Sequence, residues 1–506
     1  MSTAIPIDAR GSWPAGRAPW IASIFLATWI ALMLAVDGGL YGDNVEQTIW
    51  SHSMQWGYYK HPPLPTWLLG AFHLVTGQHW WSTSVLAGLC LLATLWLTWS
   101  IARELLGARS AAAAVVWWGL LQCFSSRAQL YNHNTVLVLT IAVTVWCLLR
   151  ALRGGSGWWV AVGLAAGAAL LAKYQAAIAL AGLLAVLVWS GRMRESRVLR
   201  GIASALLIAA ATFAPHLAWL FSHDFSTLRY ASQSVEQGGF GQRLMSDLSF
   251  LVNQLRMVLP ALIALALCAF LARRTNSPAT VPPSTLTGAS VSAAEEAQRQ
   301  DPSNGISTTL WTRGLFSGLL MLILLLPLLL GVNLRNHWGV QTFQFFTLWL
   351  AWRLHSSSAI SLPRLTLVAG VIHVLSMLVY LIDVRDPGAM AAARRVDNAF
   401  PGRRLADAAT LQWQSATRCP LRFLVGDFEA GLTSAYLPES PAVYVGPIAT
   451  PWISSAQLRQ HGALYILDSK TVPPAGTEPA RRLMLGSANG REVWLAVAMP
   501  ADGCRP

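Results

Sequence analysis

Charge is scarce in this chain. Only 12% of its 506 residues are Asp, Glu, Lys or Arg, about half the share found in ordinary soluble domains. Acids are scarcer than bases, 23 against 36. With 54% hydrophobic residues the chain has too little polar surface to cover itself in water, which excludes a soluble globular protein. The excess of cations, a net charge of +13, does not indicate nucleic acid, because the Lys and Arg fall in short loops between apolar runs rather than in one patch. The first apolar run, after Arg10 and Arg17, lacks a small-residue cleavage site and reads as a membrane span, not a signal peptide. The chain has 24 Trp and 10 Tyr, residues that suit the two water interfaces of a bilayer.

Eleven apolar runs are candidates to cross about 30 Å of hydrocarbon: near 20–38, 82–102, 110–124, 135–152, 157–172, 175–190, 201–220, 249–271, 314–332, 338–353 and 365–383. With the amino terminus in the cytoplasm, Arg103, Arg109, Arg150, Arg153, Arg192, Arg194, Arg197, Arg200, Arg273, Arg274, Arg353 and Arg364 all fall inside, as the positive-inside bias requires. The opposite orientation puts every one outside. The fold expected is therefore an α-helical polytopic inner-membrane protein of about 11 transmembrane helices. Its membrane domain is 1–383, with a first periplasmic loop at 39–81 and a Ser/Thr/Pro-rich cytoplasmic linker at 275–312. After Asp383 hydropathy falls, and short runs such as Leu421 to Val425, Ala442 to Val445 and Ala463 to Leu467 alternate with Pro and Gly. That pattern predicts a small α/β periplasmic domain over 384–506. Four of the six Cys lie within spans and read as packing residues. Cys419 and Cys504 lie in the outer domain, where an oxidising compartment permits a disulfide.

Polar chemistry concentrates in the first outer loop, Asp37-Gly-Gly-Leu-Tyr-Gly-Asp43-Asn44-Val-Glu46-Gln47 and Trp56-Gly-Tyr58-Tyr59-Lys60-His61-Pro62-Pro63-Leu64. Asp43 and Glu46, three apart, share a face if a helix begins here. Asp43 is then a candidate general base or metal ligand, with Glu46 tuning its pKa. The plainer reading is a helix cap and a solvent contact. Two prolines after Lys60-His61 fix the backbone and so aim the preceding cations in one direction, which suits a phosphate.

The string Gly42-Asp43, Trp50-Ser51, Trp56-Gly57-Tyr58-Tyr59, His61-Pro62-Pro63-Leu64 and Trp67-Leu68 resembles the first periplasmic loop of the bacterial dolichyl-phosphate-mannose-protein-mannosyltransferase-like family. That family includes the aminoarabinose transferases of lipid A and has the GT-C glycosyltransferase fold. Leu149-Arg150-Ala151-Leu152, Leu171-Ala172-Lys173-Tyr174, Pro215-His216-Leu217-Ala218-Trp219 with His223, and Asn336-His337-Trp338 follow in order. The resemblance implies inverting transfer of a sugar from a polyprenyl-phosphate donor to an envelope lipid, glycan or protein acceptor on the periplasmic face. It implies a catalytic role for Asp43 with Glu46, and donor-phosphate contacts from Lys60, His61, Lys173, Arg229 and Arg335. Trp56, Tyr58, Tyr59, Asn134, His223 and His337 are expected around the substrate cavity. A divalent metal is the one cofactor considered, with Asp43 and His223 as weak candidate ligands. The chain departs from the family at three positions commonly acidic there, which here are Asn44, Lys60 and Asn134. Those losses weaken a metal site and leave open a changed donor or lost activity. The rival readings are a lipid-linked-sugar flippase or transporter, and an inactive assembly subunit of an envelope glycan system; a transporter would show intramembrane charge pairs and inverted repeats, and neither is evident.

Overall fold

The structure is a computed structural model. It describes residues 15–234, 239–275, 307–331, 333–354, 361–385, 400–468, 470–474, 476–477, 480–485 and 491–501. The amino-terminal part runs through α1 (Ala18–Val36), α2 (Gly42–Trp50), α3 (Leu64–Thr76), α4 (Ser82–Leu106), α5 (Ala108–Trp118) and α6 (His133–Leu152). It continues with α7 (Trp158–Ala172), α8 (Ala176–Trp189), α9 (Ser196–Ser222), α10 (Ser226–Ser234) and α11 (Phe240–Thr275).

Among the described residues, seven helical stretches are long and apolar enough to cross a membrane: Ala15–Val36, Ser82–Leu106, His133–Leu152, Ser196–Ser222, Phe240–Arg273, Thr308–Leu325 and Leu362–Val384. The other four of the eleven expected runs form shorter helices, namely α5, α7, α8 and the pair Val340–Phe343 and Phe346–Arg353. The 15 residues of α7 reach about 22 Å, short of the ~30 Å of hydrocarbon. The case of α5 explains why sequence cannot tell these apart. Ser110 to Trp118 are buried without exception, and the helix packs on α1, α4 and Phe346–Arg353. Its apolarity answers to protein neighbours, not to lipid. A further apolar helix, α3, lies inside the stretch expected to be the first outer loop. Most of the expected linker at 275–312 falls outside the described residues, but a helix already begins at Thr308, whose hydroxyl donates to Leu105 O.

The basic helix ends gather at one end of the bundle. Arg192 and Arg197 both donate to Leu152 O, at 3.0 and 2.9 Å, and Arg153 pairs with Glu104 at 3.3 Å.

Leu362–Arg385 runs two residues past the expected boundary at 383. Beyond it, Gly402–Ala416, Phe428–Tyr436 and Ser455–His461 pack with a five-stranded sheet of β1 (Phe423–Val425), β2 (Ala442–Tyr444), β3 (Ala463–Asp468), β4 (Arg481–Leu485) and β5 (Arg491–Ala498). The order is β2-β1-β3-β5-β4. β1 runs parallel to β2 and β3, while β5 runs antiparallel to β3 and β4. The sheet domain is not an appendage. Leu40, Val45, Ile49, Trp50 and Tyr58 of the first loop share one apolar core with Leu405, Leu424, Ala430, Val443, Leu464 and Val497. Gly431 shows why this fit needs a glycine: a Cβ there would sit 2.5 Å from Val45 Cγ1 and 2.7 Å from Ile49 Cδ1. Cys419 is disulfide-bonded; Cys504, the partner expected for it, lies outside the described residues.

Candidate active site

The loop after α1 turns into α2, and each face of that short helix has a different neighbour. Val45 and Ile49 enter the core shared with the sheet domain. Asn44 and Thr48 are buried, while Asp43, Glu46 and Gln47 line a cavity of about 1140 Å³. Asp43 falls in the first turn of α2, where the helix dipole favours a carboxylate. Asn44 is a structural part. Its Nδ2 donates to Thr83 Oγ1 and Gln129 O, and its Oδ1 accepts from Tyr131 N at 3.0 Å. A carboxylate could not donate those two bonds, so this departure from the family pattern secures the packing of α2.

Three side-chain contacts organise the cavity. Asn132 Nδ2 donates to Asp43 Oδ2 at 2.7 Å, while Asn132 Oδ1 caps α6 by accepting from Asn134 N and Thr135 N. The cap therefore aims the free end of the amide at Asp43 and holds that carboxylate still. Lys60 Nζ donates to Glu46 Oε1 at 2.5 Å. Lys173 Nζ donates to Asn134 Oδ1 at 2.7 Å. Lys60 and Asn134, the departures noted above from commonly acidic positions, are thus one a cation and the other a neutral acceptor for a cation. Among the described residues the cavity lining holds Lys60, Arg127, Lys173, Arg256 and Arg335 against only Asp43 and Glu46. A cationic, partly enclosed chamber of this kind suits an anionic ligand.

The Lys60–Glu46 pair is coupled. Burial raises Glu46 to about 7, outweighing the opposing pull of Lys60. Burial alone would lower the Lys60 ammonium, but the Glu46 charge and hydrogen bond reverse this and hold it above its ordinary value. Lys60 therefore stays protonated, and Glu46 is the member that titrates near neutrality. His61 is buried close to Lys173 and Lys60 and is lowered to about 3. That shift favours the neutral ring over the cation expected; the ring lies 3.9 Å from that of His133.

Asp43, Glu46, Lys60, His61, Lys173, Arg335, Asn134 and His337 all line the cavity. The remaining expected residues do not. Arg229 is exposed and lies 3.9 Å from Asp224. His223 stacks on Trp219 at 4.2 Å on an exposed part of the chain, because the turn after α9 carries it outward. Tyr58 is core, stacked on Trp50 at 4.9 Å with its hydroxyl donating to Ser53 O. Trp56 packs edge-on against Trp67, and the neighbouring Gly57 is needed because a Cβ there would meet the Trp219 ring at 2.4 Å. Tyr59 flanks the Lys60 ammonium, which sits 5.2 Å from its ring and 5.6 Å from that of Tyr230. The aromatic motif thus builds the loop instead of lining the chamber.

Asp43 and His223 are not brought together, Glu46 is bound to Lys60, and no group of three or more His, Cys, Asp or Glu that could hold a metal exists among the described residues. Sequence reasoning missed Asn132, Tyr230, Arg127 and Arg256. Arg256 left a signal, a lone cation inside the apolar run of α11, since intramembrane charges usually face a cavity. Asn132 left none beyond standing two residues before Asn134.

With this geometry in place the class is clear: a multi-pass membrane protein with the GT-C fold and a small carboxyl-terminal sheet domain. Residues 60–219 match the family described as dolichyl-phosphate-mannose-protein mannosyltransferase. The crystal structure of ArnT from Cupriavidus metallidurans bound to undecaprenyl phosphate superposes with a TM-score of 0.59 at 13% identity, covering 97% of this chain and 100% of that one. The lipid A galacturonosyltransferase RgtD of Rhizobium johnstonii is 23% identical over 238 residues, 46% of this chain and 49% of that protein. The lipopolysaccharide core galacturonosyltransferase RgtB of the same organism is 24% identical over 260 residues, 50% and 52% of the two chains. The match thus spans about half the length of these curated relatives. The chain thus has the fold of ArnT, and residues 60–219 resemble the dolichyl-phosphate-mannose-protein mannosyltransferase family.

Proposed function

We propose that this chain transfers a sugar from a polyprenyl phosphate to a lipopolysaccharide acceptor at the outer face of a bacterial inner membrane, with its amino terminus in the cytoplasm. The gathering of basic helix ends opposite the cavity supports that orientation. The similarity to RgtD and RgtB supports a galacturonosyl group and a lipid A or core acceptor. The observation that carries the reading is Asp43, fixed by Asn132 and set beside the Lys173–Asn134 contact in one cationic cavity.

In the proposed reaction the acceptor hydroxyl oxygen attacks the anomeric carbon and gives its proton to Asp43. The bond from that carbon to the phosphate oxygen breaks with inversion, and polyprenyl phosphate leaves. Negative charge grows on the departing oxygen, where Lys173, Arg256 and Arg335 supply compensating charge. His61 supplies a neutral hydrogen-bonding ring at the same site. Asn132 keeps the Asp43 carboxylate aimed.

The test is transfer of labelled sugar from a pool of polyprenyl-phosphate sugars to envelope lipopolysaccharide by purified protein, beside Asp43→Asn. Transfer abolished by the substitution supports the reading. Polyprenyl-phosphate binding without any transfer favours the flippase or the assembly subunit instead.

A further inference from the structure

Resting on that reading, we propose that Lys60 is the residue that selects the donor sugar by its acid group: the Lys60 ammonium, held by Glu46 and flanked by Tyr59 and Tyr230, binds the C6 carboxylate of a uronic acid while Lys173 faces the phosphate.

Charges in the cavity are coupled in series. Lys173 is close enough to Asp43 for the carboxylate to act on it electrostatically. Asp43 acts in turn on Glu46, three residues on along α2, and Glu46 holds Lys60. Two cationic centres, Lys173 and Lys60, therefore share one cavity with the candidate base. A donor with a single anionic group needs only one of them. A polyprenyl-phosphate uronic acid carries two, the phosphate on C1 and the carboxylate on C5, and so can engage both lysines in the cavity that Asp43 lines.

Lys60 is built for such a role. The two tyrosine rings, at 5.2 and 5.6 Å, limit where the ammonium can go; with Glu46 accepting one of its three hydrogens and Tyr59 another, one is left for a ligand. The side chain keeps a quarter of its surface open and borders the cavity. A neutral hydroxymethyl at C6 would leave that partly desolvated ammonium without an anion to meet, so the site discriminates by leaving a charge unsatisfied.

The experiment compares two donors that differ only at C6, polyprenyl-phosphate galacturonic acid and polyprenyl-phosphate galactose. Their equilibrium binding to the purified full chain is followed by tryptophan fluorescence, and their turnover is measured in parallel. Wild type is expected to prefer the acid by on the order of 100-fold. Lys60→Gln should collapse this ratio toward one by weakening the acid alone, whereas Lys60→Arg should keep most of it. The readout is a ratio within one protein, so a general loss of activity cancels. A wild-type ratio near one, or a ratio unchanged in Lys60→Gln, overturns the proposal. If Lys60→Gln fails to fold, the wild-type ratio and its decline with added salt decide. Absence of transfer alongside selective binding of the acid would sink the transferase reading and leave Lys60's role standing.

Discussion

Asn132 Nδ2 lies 2.7 Å from Asp43 Oδ2, and the same Asn132 caps α6 through its other amide atom. One side chain thus ties the start of a long apolar helix to the only carboxylate of the cavity that is not engaged by a lysine among the described contacts. This makes the aim of Asp43 depend on a helix cap.

Two substitutions separate chemistry from aim. Asp43→Asn should lower turnover by about 10²–10⁴-fold, the usual worth of a general base, with donor binding little changed. Asn132→Ala should cost about tenfold in turnover by loosening the carboxylate, and it should also lower the melting temperature through loss of the cap. Donor binding and single-turnover rates on both variants check this; equal effects on binding and turnover would argue that Asp43 merely holds substrate.

Asn134 offers a test by restoration. Asn134→Asp puts back the acid common in the family and gives Lys173 an ionic partner in place of the amide it now holds at 2.7 Å. The lysine then has less charge to spare for an anion, and donor affinity should fall about tenfold, or ~1.4 kcal/mol. Titration of polyprenyl phosphate itself, free of any sugar, measures this directly.

The pH dependence of stability should carry a mark of Glu46. Its carboxyl titrates at about 7 when folded against an ordinary value of 4.5, so the unfolded chain gives up this proton first. The stabilisation is full below about 4.5 and is lost as pH rises through about 7. Lys60, raised in the fold, stays protonated in both states over that window and does not offset the trend. Melting temperatures between pH 4.5 and 8 should decline for wild type and decline less for Glu46→Gln.

Gly431→Ala should loosen the seat of α2, because its new Cβ would lie well inside contact distance of Val45 and Ile49. Overpacking of this kind costs about 1–3 kcal/mol. Faster proteolytic release of the sheet domain and a lower melting temperature are expected, with partial recovery in the double variant carrying Val45→Ala.

Apolar runs and the placement of arginines were enough to read a polytopic membrane protein, because a bilayer imposes a composition that no packing can disguise. The first-loop string also located Asp43, Glu46, Lys60 and His61, and the alternating runs located β1, β2 and β3. What the linear pattern could not separate was burial by lipid from burial by protein: α5, α7 and α8 carry the composition of spans, yet only helix length and neighbours distinguish them. Nor could it tell which aromatics of the loop face inward. Tyr58 and Trp56 sit beside the functional cations in sequence, but stacking on Trp50 and edge-on packing against Trp67, respectively, take them out of the chamber.

The sequence by itself determined the class, the membrane, the helical scaffold and the loop that holds the chemistry, since each depends on composition or on residues close along the chain. Only the tertiary structure decided the pairings Asp43 with Asn132, Lys60 with Glu46 and Lys173 with Asn134. All three join residues on separate segments, brought together by helix packing and by the sheet domain pressing on α2. Charge in a cavity depends on which side chains meet across it, and no spacing along the chain specifies that.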